Sequence, residues 1–164
     1  MPDLLVDFVT SLDGYGAGEG WPGYWGLAGP EYLAWLEEDP SAGYLVLMGP
    51  NTYRLISGVA GDGAPGTEGL AGSSKVVFSS SLEEPLSWPN TRLVTGDAVA
   101  AVADMKANGT VSMRTIGSLN LCRSLFARRI GGPLPSVRVS SHHRQHRSRA
   151  HLRRLSRCRF GHDQ

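Results

Sequence analysis

Three short stretches of the chain put small polar residues where they could hold phosphate: LMGPNTYRL, with Gly49, Asn51 and Thr52; KVVFSSSL, with Ser79 and Ser80; and RTIGSLNLCRSL, with Gly117 and Ser118. Each follows a run rich in Val, Leu or Ile. Two of them open a segment with helical spacing. A helix N-terminus offers unpaired backbone N–H donors and the positive end of the macrodipole, and small residues let phosphate oxygens come close. The implied chemistry is the binding of a phosphate-bearing cofactor. Taken singly, each turn reads equally well as an ordinary helix cap. GxxxxGK[ST] is absent, and the two matches to GxGxxG, GEGWPG (18–23) and GDGAPG (61–66), neither directly follow a strand-like run nor open a helical one, so the usual dinucleotide fingerprint and the P-loop are excluded. The argument rests on the ordered set of three.

The elements that must position these turns follow from periodicity. Strand-like runs occur at 4–10, 44–49, 75–80, 91–95 and 111–117, bounded by Gly, Ser or Asn. Helical spacing marks 30–39, 51–57, 97–108 and 118–126, with Asp97 as an N-cap and Gly109 as a helix stop. Strands alternating with helices predict an α/β fold with a largely parallel sheet covered on both faces. In such sheets ligands sit beyond the carboxyl ends of the strands. The glycine-rich stretch 57–72 is expected to be a flexible loop with one short helical turn.

Composition divides the chain in two. Residues 1–126 hold fourteen Asp/Glu against six Lys/Arg, whereas 127–164 hold ten Arg, one acid (Asp163) and all five His. The first part is the size of one modest domain. No positively charged leader precedes the apolar run LLVDFV, and no stretch approaches the roughly 20 apolar residues that cross a bilayer. A cytoplasmic protein without membrane partners is expected. Cys122 and Cys158 fit no metal spacing, and the His residues lack Cys pairs or acidic ligands to complete a site, so no metal is expected.

The order VTSLDGYGA (9–17), LMGPNTY (47–53), KVVFSSSLEEP (75–85) and TIGSLNLCRSL (115–125) resembles the dihydrofolate-reductase-like superfamily. It is most similar to stand-alone bacterial relatives of the reductase domain of the bifunctional riboflavin-biosynthesis deaminase-reductase. The resemblance spans residues 3–125. It implies a mostly parallel twisted sheet with flanking helices and an NAD(P)H-dependent reductase that passes hydride to a small, pterin-like or pyrimidine substrate. It further implies that Ser11, Asp13, Gly14 and Ala17 lie near the hydride-transfer site, and that Gly49, Asn51, Thr52, Ser79, Ser80, Gly117, Ser118 and Leu119 hold NADPH. Many members carry Arg after the Gly of M-G-x-x-T, suited to forking onto a ribose 2′-phosphate. Here that residue is Pro50, which leaves NADH open as an alternative.

Hydride transfer also needs a proton source or an electrostatic partner for the substrate. Asp13 and Glu31 are the candidates, although Asp13 equally suits a turn and Glu31 is more simply a first-turn acid facing the helix dipole. Trp21, Tyr24 and Trp25 would line a pocket for a planar heterocycle or plug the open end of the sheet. Family members often pair, so a homodimer is implied for the intact ancestor.

The tail has three readings: a nucleic-acid-binding arm, a metal tract, or residues outside the ancestral frame. It has no Lys and one aromatic, Phe160, unlike the mixed Lys/Arg and interleaved aromatics of nucleic-acid binders. When the codons of Ile130 to Ser136 are read one base later, they permit L-V-D-R-F-R. The same shift on Arg147 to Gln164 permits G-R-E-R-I-Y-D-G-Y-P-D-V-A-L-D-M-I without conflict. Both strings resemble what the family carries after its last cofactor-binding helix. The frame is therefore expected to change near Leu125 to Ala127, by sequencing error or by a real deletion. The expected domains are an incomplete reductase domain at 1–126 and an out-of-frame, disordered tail at 127–164, helical at most around 150–155. The closing strands would then be missing, with at most a stub at 137–140, and activity would be impaired. The alternative function is a non-enzymatic acidic domain with a basic nucleic-acid-binding tail.

Overall fold

In the computed structural model of this chain the described residues are 2–11, 16, 43–61, 63, 67–128 and 137–142. They form strands β1 (Leu4–Ser11), β2 (Leu45–Met48), β3 (Lys75–Phe78), β4 (Thr91–Val94), β5 (Met113–Ile116) and β6 (Val137–His142). The helices are α1 (Pro50–Gly61), α2 (Glu68–Gly72), α3 (Ala98–Asn108) and α4 (Leu119–Ala127). All six strands join one sheet in the order β4-β3-β2-β5-β1-β6, and every pairing is parallel.

Strands buried on both faces need unbroken apolar runs, and the alternation of side chains then divides each run between two cores. Leu4, Val6, Leu47, Val76, Phe78 and Met113 turn to one face, where Val99 and Val102 of α3 and Leu121, Cys122 and Leu125 of α4 cover them. Val46, Met48 and Val77 turn to the other, beneath Tyr53 and Ile56 of α1 and beneath Trp88 from the connection between β3 and β4. The described structure is thus the layered α/β fold expected from the sequence.

The ends of α3 lie where Asp97 and Gly109 predict them. Asp97 Oδ1 accepts hydrogen bonds from the N–H groups of Val99 at 2.9 Å and Ala100 at 3.2 Å. At the other end the Gly109 N–H donates to the Met105 carbonyl, and a Cβ on residue 109 would lie 2.3 Å from that oxygen. Helix α1 differs from expectation. It begins at Pro50, whose missing N–H costs nothing at a first helical position. It then runs on to Gly61, into the stretch expected to be loop. Ile56 is buried, and Ala60 packs against the same core. That burial outweighs the helix penalty of Gly58, about 1 kcal/mol. The short helix α2 supplies the helical turn expected further along.

Strand β6 corrects another expectation. The stub foreseen at 137–140 is a six-residue strand, and it runs parallel to β1 with Val6 opposite Val137, Asp7 opposite Arg138 and Phe8 opposite Val139. The register aligns the alternating Val residues of VRVS with apolar positions of β1, which is what a period-two pattern favours. The remainder of the tail beyond Arg128, with the helix foreseen at 150–155, lies outside the described residues, as does the helix foreseen at 30–39.

Candidate cofactor site

Because every strand is parallel, all their carboxyl ends lie along one edge of the sheet. The adjacent central strands β2 and β5 send their outgoing helices to opposite faces, α1 to one and α4 to the other. Neighbouring strands whose connections part in this way leave a crevice between them, the usual ligand position in open α/β sheets. The first and third of the predicted phosphate-facing turns flank this crevice.

Their side chains lock the two turns together. Ser118 Oγ accepts a hydrogen bond from the Gly49 N–H at 2.8 Å. The Ser118 N–H donates to Thr52 Oγ1 at 3.1 Å, and the Ser118 hydroxyl lies 3.0 Å from the same oxygen and 2.9 Å from the Ile116 carbonyl. Gly117 and Ser118 both have φ of +54°, in the left-handed region. A Cβ on Gly117 would sit 3.4 Å from Thr52 Oγ1, an ordinary contact, so it is the backbone conformation that favours glycine there. For Ser118 the left-handed backbone costs roughly 1–2 kcal/mol, strain of the kind that collects at ligand-binding turns. Ser118 makes no side-chain cap on α4, so its hydroxyl ties the turns together and leaves the first-turn N–H groups, beginning with Leu119, uncapped by it.

A polar layer supports the turn from below. Thr115 is fully buried; its Oγ1 accepts the Asp7 N–H at 3.0 Å. Cys122 Sγ lies 3.2 Å from the Gly117 carbonyl and 3.6 Å from Thr115 Oγ1. Burial pushes the Cys122 thiol above its ordinary pKa, so it is a packed, protonated group, not a nucleophile. Asp7 forms an ion pair with Arg114, whose Nε stands 3.2 Å from Oδ2, with both side chains about nine-tenths buried. This carboxylate is committed to the sheet and is not a candidate acid.

The second turn behaves differently. Ser79 is buried, and its Oγ accepts the N–H groups of Ser81 at 3.0 Å and Leu82 at 3.2 Å, which shapes the turn after β3. Ser80 and Ser81 are exposed at its rim. Arg54 of α1 reaches this rim, with one guanidinium nitrogen 3.3 Å from Ser81 Oγ and the other 3.5 Å from Asn51 Oδ1. Sequence reasoning missed Arg54 and Ser81; the signal available was the spacing of Arg54, one helical turn beyond Pro50.

The structure therefore brings Gly49, Thr52, Gly117 and Ser118 into one network, with Leu119 at the start of α4. Asn51, Ser79 and Ser80 stand at the neighbouring strand end. The backbone of Ser11 ends β1, on the far side of β5 from β2. Asp13, Gly14, Ala17, Trp21, Tyr24, Trp25 and Glu31 lie outside the described residues. Among the described residues no cluster of His, Cys, Asp or Glu could hold a metal, and no helix is long and apolar enough to cross a membrane.

Against known proteins, the family described as RibD C-terminal domain matches residues 2–130. A solved structure from Shewanella sp. PV-4, of a protein named for riboflavin biosynthesis, is similar over 79% of this chain and 71% of its own. Its identity is 22% and its TM-score 0.52, a likeness of fold. No curated protein matches.

Proposed function

The chain belongs to the RibD C-terminal domain family, and from that premise we propose that it is an NAD(P)H-dependent reductase acting on a small planar substrate of pterin or pyrimidine type. The observation that carries the reading is the Gly49–Ser118–Thr52 network, which fixes two phosphate-facing turns across the crevice between β2 and β5. The residues present fit a dinucleotide there: the left-handed Gly117 allows close approach, and the start of α4 presents its N–H groups without a side-chain cap. Gly117, Ser118 and Leu119 would hold the pyrophosphate, with Gly49, Asn51, Thr52, Ser79 and Ser80 on the remaining phosphate and ribose oxygens.

When bound, the cofactor supplies the hydride. The chain's own part is orientation and exclusion of water. Ser11, Gly14 and Ala17 border the reacting ring, Trp21, Tyr24 and Trp25 stack on the substrate, and Asp13 or Glu31 holds the proton the reduced product takes up. Titrating NADPH into the protein while following tryptophan fluorescence tests the reading, with saturable quenching in the micromolar range expected. Absence of quenching, together with no loss of NADPH absorbance over a panel of pterins, ribosylaminopyrimidines and carbonyl compounds, would overturn it.

We also propose that residues from about 127 onward are read out of the ancestral frame and that activity is lowered as a result. The conflict-free shifted reading of 147–164 supports this, as does the end of the family match at residue 130, close to the expected break. Resequencing the codons for Leu125 to Ala127 and weighing the native protein decide it. A restored base and a longer chain would mean an intact reductase. The charge step keeps the nucleic-acid reading alive, and salt-dependent retention on DNA or RNA without any response to NADPH would favour it.

A further inference from the structure

We propose that Arg54 takes the role which Pro50 cannot fill, and that it makes this site selective for a dinucleotide carrying an extra phosphomonoester on its ribose. The inference rests on the cofactor reading above and deepens it. Pro50 has neither a backbone N–H nor a polar side chain, so the residue just after Gly49 can give an anion nothing. One turn later on α1, Arg54 projects to the exit of β3.

Its guanidinium touches only neutral oxygens there. Among the described residues no carboxylate pairs with it, and its contacts to Ser81 and Asn51, 3.3 and 3.5 Å, are at the long end for hydrogen bonds. A guanidinium held so loosely has its planar fork of N–H donors to offer, the geometry that suits a phosphate dianion. The Ser79-centred turn places the hydroxyl of Ser81 beside that fork, 3.3 Å from Ser79 Oγ.

The first turn of α1 thus separates two anion stations. On one side Thr52 is tied to Ser118 and the start of α4; on the other, Asn51 and Arg54 face the serines after β3. A ligand that fills both must carry a pyrophosphate and a separate phosphomonoester. NADPH has both groups, and NADH lacks the second.

The experiment measures Kd of the full chain for NADPH and for NADH by tryptophan quenching or calorimetry, for the parent, R54Q and R54K, at two ionic strengths. A charge-assisted pair of this kind predicts that R54Q weakens NADPH by about 10- to 100-fold while NADH changes by less than about twofold. R54K, which keeps the charge but loses the fork, should fall between. Arg54 is exposed, so the thermal midpoint of R54Q should equal that of the parent. Equal loss for both cofactors, no loss for either, or a parent without preference would overturn the role of Arg54 and leave the cofactor site standing. A parent that binds neither would overturn both.

Discussion

The hydroxyl of Ser118 takes the backbone N–H of Gly49 at 2.8 Å, across 69 residues of chain. One side chain thereby sets the distance between the first turn of α1 and the first turn of α4. Thr52 completes the lock from the other side. Thr52→Val should leave the Ser118 N–H without its acceptor, destabilise the fold by about 1–3 kcal/mol, and weaken NADPH binding beyond what the stability loss explains. Denaturant unfolding and a parallel NADPH titration read the two effects separately. Thr52→Ser, which keeps the oxygen, should restore both.

Gly117→Ala places a methyl in a left-handed backbone, 3.4 Å from Thr52 Oγ1. The conformational cost is about 1–2 kcal/mol, and the methyl would stand in ordinary contact with the hydroxyl that holds Ser118. The variant should fold with a lower thermal midpoint and bind NADPH more weakly than Gly49→Ala. At position 49 an added Cβ meets only Ser118, in ordinary contact at 3.8 Å. Midpoints by circular dichroism for both variants check the order.

Asp97 gives a pH dependence of known sign. Hydrogen bonds from the Ala100 and Val99 N–H groups hold its carboxyl below the usual aspartate value. Its contribution is therefore complete above the unfolded value of about 3.9 and is lost as pH falls through the lower folded value. Asp97→Asn retains an N-cap that does not titrate. Thermal midpoints between pH 6 and pH 2 should fall less steeply for the variant than for the parent over the acid end of that range.

Lys75 is buried at the first position of β3, and its Nζ donates to the carbonyls of Leu70 at 2.7 Å, Ser73 at 2.6 Å and Ala71 at 3.3 Å while lying 4.6 Å over the Trp88 ring. All three ammonium protons are used, and two of the acceptors belong to the last turn of α2. Lys75→Met should cost about 1–3 kcal/mol by leaving those carbonyls without their donor. Burial also lowers the lysine pKa. Between that lowered value and about 10.4 the unfolded chain binds more protons than the folded one, so this group makes stability rise with pH there. The slope should be absent in Lys75→Met, as measured by urea midpoints at alkaline pH.

Cys122, protonated and only 2% exposed, should resist alkylation in the native protein and react once the chain is unfolded. Peptide mass mapping after a short iodoacetamide pulse distinguishes it from Cys158. Rapid native labelling would show that the turn above it opens.

The sequence made the strands legible because a buried parallel sheet requires contiguous apolar runs, and α3 legible because Asp97 and Gly109 bracket it. It did not reveal the extension of α1 through Ser57 and Gly58, since what decides it is tertiary packing, with Ile56 and Ala60 in one core with Val46, Met48, Val77 and Trp88. Nor did it reveal that β5 inserts between β1 and β2, which no local pattern encodes. At the site, Thr52 and Ser118 were legible as small polar residues at helix starts. Their mutual hydrogen bond was not, and it changes their role: much of their polar capacity goes to each other, leaving backbone N–H groups as donors. Arg54 was overlooked because its partner Ser81 is 27 residues away.

The position of β5 beside β1 also sets a timetable for a chain emerging from the ribosome. Leu4 finds its neighbour in Met113, so the first strand made has no described strand partner until the fifth is complete. Strands β2, β3 and β4 with α1 can assemble in the meantime, because their pairings are among nearer segments. During that interval the run LLVDFV is an unpaired apolar edge, open to capture by other nascent chains. A chaperone that shields residues 4–9 would do most for the yield of this protein.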